Sequence, residues 1–483
     1  MGDGSRVSVA IIGSGMAGLV MAYLLQQDPD QRFDVQVFES QEKLSLDSAS
    51  ITLTSDDGAH RIDQPMRGFD EGFYPNLKRM YSHLGIPYDS KKFLFSFSRR
   101  QSDSDDPISF IHSSNNHRFP PVWPHGSNLG MWIGEVIYLA ICFAWFSLCC
   151  FFIPPREATG TTGTNDVSSL CESFDEYRRR VYIPQYFVEN YLLPPLSSMS
   201  TCSHREMLDF PASDIISYIQ RTFNAPHYLV RSGIREVERK LSPGLNISLG
   251  CRVTSVRRSD SSSVLVSWDS TSEELVDTEK VSTGSYQKSF DHVILAVPPS
   301  VVGYIFHPLT YETSLIPTTS VEAVIHTDTS TIPASVQAAA SSSMQKDSKY
   351  QTLSNSETEW MHLRSTSEHT ESVHEHPASF IITNHPITPI DPAKIIHRAR
   401  FTRTLRTPQS RAIVNRIFDV AAGSESQNVS EKISSSSSPW HNGDGNVWLV
   451  GSWCWDGMTL LEGCLVSAMR VADEFGVQTP WAV

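Results

Sequence analysis

A glycine-rich hexapeptide near residue 15 could bind phosphate groups. Gly13-Ser14-Gly15-Met16-Ala17-Gly18 fits the pattern Gly-x-Gly-x-x-Gly, and the apolar residues 7–12 before it predict a β-strand. In this pattern the first glycine permits a tight turn, the second lets the backbone approach a pyrophosphate, and the third lets the helix pack closely on the sheet. The helix start offers free N–H groups and the positive end of its dipole. The hexapeptide therefore predicts a dinucleotide site.

An acidic residue provides the second part of this site. Glu39 ends the second predicted strand, residues 34–38, and follows Gly18 by 21 residues. A carboxylate at this spacing can accept hydrogen bonds from both ribose hydroxyls of an adenosine. No Arg follows Glu39 directly, which disfavours a 2′-phosphate. We therefore expect FAD or NAD rather than NADP, bound by Gly13, Ser14, Gly15, Met16, Ala17, Gly18 and Glu39.

The elements that must position these residues alternate between strands and helices. Residues 17–27 predict a helix, residues 291–297 a buried strand, and residues 447–450 another strand with a helix over about 460–475 after it. Strands that alternate with helices favour a parallel sheet. The predicted fold class is α/β: a discontinuous Rossmann-like dinucleotide-binding domain, an α+β substrate domain and one strongly apolar helix.

Composition excludes several classes of protein. The chain has 483 residues, of which 40% are hydrophobic, and this fraction suits a large core and excludes global disorder. Its formal charge is -14 and it has no basic block, so no nucleic-acid partner is expected. Eight cysteines form neither a Cys-x-x-Cys pair nor a zinc pattern, so we expect no metal and a reducing compartment. No signal-peptide pattern is visible, which predicts an intracellular protein.

Three polar stretches are predicted to be surface loops: residues 259–283, 338–376 and 421–439. The second contains histidines whose spacing fits no zinc helix, and we expect them to be solvated: His369, His374 and His376. Beyond it, arginines recur every two or three residues, which predicts a solvated face or pairing with an acidic loop: Arg398, Arg400, Arg403 and Arg406.

A second motif lies near residue 455. Residues 446–452 predict a strand that runs into a tight turn, and Thr459-Leu-Leu-Glu462-Gly463 opens an amphipathic helix. This arrangement resembles a motif of the flavin-containing amine oxidase and phytoene-desaturase-like superfamily. There the helix start lies against the pyrimidine edge of the flavin, and backbone N–H groups meet the ribityl chain. The resemblance therefore implies FAD rather than NAD and adds Gly451, Ser452, Leu461 and Glu462 to the binding residues.

Other segments carry the same resemblance, which covers roughly half of the chain. Residues 230–241 resemble a glycine-then-helix segment of the family, and residues 291–299 resemble one of its strands. Cys251-Arg-Val253 is similar to the strand whose backbone contacts the adenine, which implies that Val253 binds the cofactor. Residues 62–63, 74–77 and 324–328 match a subgroup of fungal-type FAD/NAD(P)-binding proteins.

The chain departs from the family at three places. Residues 43–47 stand where the family has a Gly-Gly pair, and Arg67 is either a compensating cofactor contact or an ordinary surface arginine. The segment that holds flavin covalently in monoamine oxidases is absent, so we expect non-covalent FAD although Cys454 lies near the expected flavin. Leu460 occupies the position of an aromatic cage residue of amine oxidases, which weakens simple amine oxidation as the activity.

Two interpretations stay open around the second motif. Thr459-x-x-Glu462 also fits a capping box, in which Glu462 would stabilise its own helix alone. Trp453 and Trp455 either line a pocket or pack in the core.

An uncharged segment over residues 136–153, extended to residue 131 across Glu135, is long enough to score as a transmembrane helix. A single crossing would place Gly13 and Glu462 on opposite sides of the membrane, although both must reach one FAD. We therefore expect a buried helix or a monotopic element in one leaflet, and the polar exit after residue 153 favours the second. The predicted location is the cytosolic face of a membrane or the cytoplasm.

These observations predict a two-domain flavoprotein. Residues 1–75, 226–305 and 440–483 are predicted to form the FAD-binding domain, and residues 76–225, with the apolar helix 131–153, and 306–439 the substrate domain. The expected function is FAD-dependent hydride transfer between a lipophilic small molecule and flavin N5, of the dehydrogenase, desaturase or oxidase type. One alternative is an amine or amino-acid oxidase of a biosynthetic pathway, and another is a non-catalytic dinucleotide-binding sensor or membrane-associated partner. The sequence names no catalytic residue, and it leaves substrate, electron acceptor and oligomeric state open.

Overall fold

The structure is a computed structural model that describes residues 6–55, 58–99, 110–113, 128–157, 170–259, 263–270, 279–282, 284–332, 358–418 and 440–482. The predicted loop at 421–439 lies outside these residues.

The described strands, in chain order, are β1 (Val7–Ile12), β2 (Phe33–Phe38), β3 (Ile51–Ser55), β4 (Gly58–Ile62), β5 (Phe69–Asp70), β6 (Tyr88–Arg99), β7 (Phe110–Ser113), β8 (His227–Val230), β9 (Asn246–Ser248), β10 (Cys251–Arg258), β11 (Val264–Ser270), β12 (Glu279–Ser282), β13 (Ser285–Phe290), β14 (His292–Leu295), β15 (Thr318–His326), β16 (Thr358–Ser365), β17 (Thr370–Glu375), β18 (Ile381–Asn384), β19 (Ile395–Thr404) and β20 (Val447–Leu449).

The described α-helices are α1 (Met16–Gln26), α2 (Pro75–His83), α3 (Leu129–Phe152), α4 (Phe174–Arg180), α5 (Gln185–Phe187), α6 (Leu193–Ser200), α7 (His204–Leu208), α8 (Ala212–Thr222), α9 (Ile234–Leu241), α10 (Pro299–Ile305), α11 (Thr310–Ser314), α12 (Pro408–Ile417) and α13 (Leu461–Glu474). A π-helical turn, Val188–Leu192, joins α5 to α6.

A five-stranded parallel sheet forms the centre of the dinucleotide-binding part. Its strand order is β20-β14-β1-β2-β9, and every neighbouring pair is parallel. Residues 9–12 of β1 are buried on both faces, as expected for a parallel sheet covered on two sides. Helices α1 and α13 pack together in the core on one face. The α/β fold class, with its Rossmann-like parallel sheet and one strongly apolar helix, is therefore confirmed.

A four-stranded antiparallel sheet covers the other face, in the order β10-β11-β13-β12. Trp268 of β11 is fully buried, and its ring centroid lies 4.9 Å from that of Phe38 in β2. The prediction of a surface loop over residues 259–283 is therefore wrong for its described parts. The alternating residues Val264, Val266 and Trp268 point inward and make β11 a core strand.

A nine-stranded sheet forms the other large part of the molecule, with β7 paired to β6 at its side. The order of the remaining strands is β19-β15-β18-β17-β16-β6-β8-β5, and β6 and β16 pair in parallel. Strands β16 and β17 belong to the predicted loop at 338–376, so that prediction is wrong for residues 358–375. The chain enters the sheet at β6 before α3 and returns to it at β8 and β16 after α3. The predicted domain boundaries remain a prediction.

Helix α3 is buried along one face only. The inward side chains are Leu139, Cys142, Phe146, Cys149 and Cys150. Within the described part of the chain, α3 alone is long and apolar enough to cross a membrane. Only 28% of its most apolar 18-residue window is buried, so α3 is not an enclosed core helix.

Candidate dinucleotide site

The glycine-rich turn leaves open space at one of its three glycines. Gly13 has φ +104°, and a Cβ there would lie 2.7 Å from the carbonyl oxygen of Ala296. A Cβ on Gly18 would lie only 2.0 Å from the carbonyl oxygen of Gly13, so α1 can approach β1 only with glycine there. A Cβ on Gly15 would meet nothing nearer than the Ser45 hydroxyl oxygen, at 3.9 Å. The backbone at Gly15 can therefore be approached by a ligand.

The start of α1 is suited to an anion. Gly15 is its N-cap residue, no side chain caps the helix, and no acidic residue lies in its first turn. Met16 and Ala17 open the helix, whose first N–H groups cannot find partners within it. The Ala17 amide interacts with the Cys464 thiol. The other N–H groups of the first turn and the helix dipole together attract phosphate.

Glu39 is buried beside this turn, at the carboxyl end of β2. One of its carboxylate oxygens accepts from the Ser14 amide at 3.1 Å and from the Ser14 hydroxyl at 2.6 Å. The other oxygen accepts from the Gln41 amide at 3.0 Å. These contacts fix the carboxylate within hydrogen-bonding distance of the glycine-rich turn, which is the position that recognition of a ribose requires.

The segment that replaces the Gly-Gly pair is joined to the same turn by serine contacts. The Ser45 amide donates to the Ser14 hydroxyl oxygen at 2.8 Å. The Asp47 amide donates to the Glu238 carboxylate at 3.0 Å, and Asp47 forms an ion pair with Arg61. Residues 43–47 therefore lie against the cofactor turn without the two glycines.

Arg67 is not an ordinary surface arginine. Burial lowers its pKa, whereas the nearby Asp63 carboxyl raises it. Its Nη1 atom is buried without a hydrogen-bond partner among the described residues. An enclosed guanidinium with free donor capacity, near Asp47 and Cys464, fits an anionic or carbonyl group of a ligand.

Val253 lies in β10, which starts beside Glu39. The Cys251 amide donates to the Glu39 carbonyl oxygen at 2.8 Å, and this bond holds the start of β10 against the end of β2. The register of β10 against β11 shifts between Val253 and Ser255, so the pairing is irregular directly after Val253. The structure thus brings Val253 to the same end of the parallel sheet as Glu39.

The turn after β20 packs closely against the start of α13. The Gly451 amide donates to the Ser467 hydroxyl oxygen at 2.9 Å, which ties the turn to α13. A Cβ on Gly463 would lie 2.7 Å from the Ser452 carbonyl oxygen, so this contact requires glycine. Gly451, Ser452 and Leu461 therefore lie at the carboxyl end of β20, on the edge that also carries Gly13 and Glu39.

Glu462 does not cap its own helix, so the capping-box interpretation is wrong. The N-cap residue of α13 is Leu460, and the Thr459 hydroxyl donates to the Thr404 carbonyl oxygen at 2.8 Å. The Glu462 carboxylate instead accepts from the Asn76 amide at 2.9 Å, the Asn76 side chain at 2.7 Å and the Leu77 amide at 3.1 Å. Burial raises its pKa, and these donors lower it. Its side chain thus caps α2 from another part of the chain.

The residues at this edge fit FAD. An open backbone at Gly15, an uncapped helix start, a buried ribose acceptor and the start of a second helix meet at the carboxyl ends of adjacent parallel strands, where such sheets bind ligands. Cys454 is fully buried in the core, and burial raises the pKa of its thiol. Burial likewise raises the pKa of Cys464 to about 12, against the opposing effect of the Ala17 and Ser452 amides. Neither thiol is activated as a nucleophile, because a raised pKa disfavours the thiolate.

Four polar groups between α2, α8 and β19 were missed by the sequence reasoning. Asp70 accepts from the Gly72 and Phe73 amides through Oδ1, at 2.9 and 2.6 Å, whereas Oδ2 is buried without a partner among the described residues. Burial raises its pKa to about 6. Tyr74 and Tyr218 flank the Phe73 ring, with centroids at 5.1 and 4.9 Å from it.

The fourth group is Arg403. Burial raises the pKa of Tyr74. The nearby Tyr218 and Asp70 raise it further, whereas Arg403 lowers it, so all four groups interact electrostatically. Neither tyrosine hydroxyl has a hydrogen-bond partner among the residues that the structure describes. Tyr74 belongs to a segment that resembles the family, but nothing in the sequence places Asp70, Tyr218 and Arg403 beside it.

The prediction of a solvated arginine face holds for Arg398 and Arg400 but is wrong for the two that follow. Arg403 donates to the Thr201 hydroxyl oxygen at 3.0 Å, and burial lowers its pKa. Arg406 is fully buried, 3.7 Å from Asp214, and donates to the Trp453 carbonyl oxygen at 2.9 Å. The end of β19 turns into the interior, which periodicity along one strand does not reveal.

The two tryptophans after β20 pack in the core. Trp453 donates to the Val297 carbonyl oxygen at 3.2 Å, and Trp455 donates to the Met458 carbonyl oxygen at 2.9 Å. His374 is not solvated either: it lies buried in β17, 2.7 Å from Glu359. No cluster of metal-ligating side chains occurs among the described residues.

Comparisons with known proteins agree with this geometry. Residues 11–84 match the family model for an NAD(P)-binding Rossmann-like domain, and residues 166–367 match that for flavin containing amine oxidoreductase. No curated protein matches the sequence. Among solved structures, a CLA-producing fatty acid isomerase from P. acnes aligns with a TM-score of 0.54 at 11% identity, over 98% of this chain and 99% of that one. At that identity the alignment shows a shared fold.

The first match covers the glycine-rich turn and Glu39, and the second covers strands β9 and β14 of the parallel sheet. They confirm the resemblance drawn from the sequence motifs. These matches indicate an FAD-dependent oxidoreductase that is similar, over residues 166–367, to the flavin containing amine oxidoreductases.

Proposed function

We propose that the protein binds FAD non-covalently and transfers a hydride between a lipophilic small molecule and flavin N5. The observation that carries this proposal is the meeting of the glycine-rich turn, Glu39 and the start of α13 at one edge of the parallel sheet. The fold-level likeness to a fatty acid isomerase supports a lipophilic substrate by analogy only.

Each binding residue has a distinct part in this proposal. The first amides of α1, after Gly15, would hold the pyrophosphate, and Glu39 would accept from the ribose hydroxyls. The backbone of Val253 would hold the adenine. Gly451, Ser452 and Leu461 would hold the ribityl chain and the isoalloxazine. FAD held in this way would supply hydride acceptance at N5, and the positive end of the α13 dipole would favour that chemistry.

We place the polar end of the substrate at Asp70, Tyr74, Tyr218 and Arg403. The two free tyrosine hydroxyls can hydrogen-bond a substrate oxygen or nitrogen, and the buried guanidinium favours a negative or polar group. As hydride leaves a substrate carbon, a neighbouring C–H, O–H or N–H loses a proton, and the unpartnered Oδ2 of Asp70 is the acceptor. Its pKa of about 6 suits an acceptor at neutral pH.

Amine oxidation remains the weaker alternative. Leu460 is buried in the hydrophobic core beside α13, so this position offers no aromatic cage for an amine. A non-catalytic, cofactor-binding role would not account for the buried polar groups around Tyr74. No described contact favours such a role.

The test begins with the visible spectrum of the purified protein before and after acid precipitation. Flavin that moves to the supernatant supports non-covalent FAD, whereas flavin in the pellet contradicts it and makes Cys454→Ser the next variant. A protein that is colourless and cannot be reconstituted with FAD refutes the oxidoreductase proposal. With bound flavin, anaerobic mixing with lipophilic alcohols, acids and amines should bleach the flavin band for a lipophilic donor and not for simple amines.

A further inference from the structure

The outward face of α3 carries no polar side chain. From Leu129 to Phe152 the exposed residues are all apolar or glycine: Leu129, Gly130, Met131, Ile133, Gly134, Ile137, Ala140, Ile141, Ala144, Trp145, Leu148, Phe151 and Phe152. Several are largely uncovered, with Ile141 exposed to 64% and Phe152 to 77%. A continuous apolar surface of this kind marks an interaction site.

The one acidic residue of α3 is turned away from this face. The Glu135 carboxylate accepts hydrogen bonds from Tyr186, at 3.1 Å, and from Tyr191. The Glu135 carboxylate is therefore hydrogen-bonded within the protein and adds no charge to the apolar face.

The exposed positions recur along the whole helix rather than at one end. Residues 133, 137, 141, 145, 148 and 152 follow each other at intervals of three or four, so they form one stripe. A helix of this length extends about 36 Å. The stripe therefore suits a helix that lies flat along a surface, with its opposite face packed against the rest of the protein.

The fold rules out a complete crossing by α3. Strand β6 precedes α3 and pairs with β16 and β8, which both follow it. Both ends of α3 therefore return to one sheet on one side. An apolar helix with this connectivity can enter one leaflet only.

Residues around the stripe have the chemistry of a membrane interface. Tyr182 is exposed to 84%, and Phe223 lies 5.3 Å from Phe151 between ring centroids. The exposed Arg156 lies just after the C-terminal end of α3, and the exposed Arg179 of the adjacent α4 is paired with Asp175 at 2.7 Å. Interfacial aromatic rings and arginines that reach phosphate groups accompany helices that lie in a membrane surface.

We propose that this face of α3 docks the protein on a lipid bilayer, with the helix lying in the plane of one leaflet. A bilayer fits better than a protein partner because protein interfaces typically contain about ten hydrogen bonds, and the exposed residues of the stripe leave no free donor or acceptor side chain. Arg156 then meets the lipid phosphates. This inference is independent of the proposed substrate and chemistry.

The test measures co-sedimentation of the FAD-loaded full chain with phosphatidylcholine vesicles, alone or with phosphatidylserine. The α3 variants are Ile137→Glu and Ile141→Glu. The matched controls are Tyr304→Glu and Tyr311→Glu, since these aromatic residues of α10 and α11 are also highly exposed. Each α3 variant should lower vesicle partitioning by about tenfold or more, because a charge replaces an apolar side chain worth ~1.5–3 kcal/mol when buried.

We expect binding to both vesicle types, a modest increase with phosphatidylserine, and unchanged binding by the controls. The flavin absorbance and melting temperature of every variant show that it is folded. Two results overturn the proposal. One is vesicle binding that is absent or unaffected by the α3 substitutions. The other is a dimer in sedimentation equilibrium that Ile137→Glu dissociates while no form of the protein binds vesicles.

Discussion

Alanine at two glycines of the same turn should have opposite effects on fold and cofactor binding. In Gly15→Ala the new Cβ meets only the Ser45 hydroxyl oxygen, at 3.9 Å, and the backbone is already extended, with φ -70° and ψ -176°. In Gly18→Ala the new Cβ would lie 2.0 Å from the Gly13 carbonyl oxygen. The first substitution therefore fits the folded protein, and the second does not.

The magnitudes follow from these contacts. Gly15→Ala should change the free energy of unfolding of the cofactor-free protein by less than about 1 kcal/mol, because the lower chain entropy of alanine offsets a slightly poorer N-cap. The methyl group nevertheless occupies the space through which a pyrophosphate approaches the α1 amides. Each hydrogen bond to a charged group that is lost costs about 1.5–3 kcal/mol, or roughly tenfold to a hundredfold in FAD affinity. Gly18→Ala should destabilise the fold by about 1–3 kcal/mol or more.

The assay combines FAD titration, followed by flavin fluorescence, with thermal unfolding of the cofactor-free and FAD-loaded protein. For Gly15→Ala we expect an unchanged melting temperature without FAD and a much smaller increase on adding FAD. If this variant binds FAD as tightly as the wild type, the pyrophosphate does not lie against Gly15 and the assignment of the whole edge fails. Normal stability of Gly18→Ala would contradict the contact between α1 and β1.

Three further predictions concern single side chains. Glu462→Gln should lower the free energy of unfolding by about 1.5–3 kcal/mol in a denaturant titration. The Asn76 and Leu77 amides donate to different carboxylate oxygens, and the NH2 group that replaces one of these oxygens in glutamine cannot accept. Unchanged stability would contradict the cap on α2. Burial alone would raise the pKa of Asp328, but the Asp391 amide and Lys394 hold it well below its usual range. Its folded pKa lies below the unfolded value, so the stability it provides is present above about pH 4 and is lost as the pH falls further. Asp328→Asn should therefore make the melting temperature fall less steeply as the pH is lowered through this range. A fall as steep as that of the wild type would refute the assignment. The Tyr218→Phe variant should still bind flavin. The donor concentration that gives half-maximal flavin reduction should rise about two- to tenfold, as expected for one lost neutral hydrogen bond. Unaltered reduction kinetics would show that Tyr218 is not part of the substrate site.

Local spacing predicted the parts of the fold that depend on local geometry. Gly13 and Gly18 reveal the turn because only glycine fits there, whatever the rest of the chain does. Glu39 follows because β2 must end beside β1 in this supersecondary unit. The α/β class follows from the same alternation of strands and helices.

The errors arose where a residue's partner is distant in sequence. Glu462 fits a local capping box, yet its partners are Asn76 and Leu77, almost four hundred residues earlier. Arg406 has the spacing of a solvated residue, but Asp214 draws it into the interior. Polar composition also hid β11, whose inward residues alternate with half-buried or exposed ones. Composition averages over the two faces of a strand and so misses it.

The parallel sheet has a consequence for the timing of synthesis. Its strands β1 and β2 can pair early, but β20 and α13, which complete the cofactor edge, leave the ribosome about 300 residues after α3. At ~5–20 residues per second that interval lasts about 15–60 s. During it the nascent chain has an incomplete cofactor site, while the apolar stripe of α3 has already emerged. A membrane or a chaperone that covers α3 in this interval would protect the unfinished chain from aggregation, and cofactor loading must wait for the last helix.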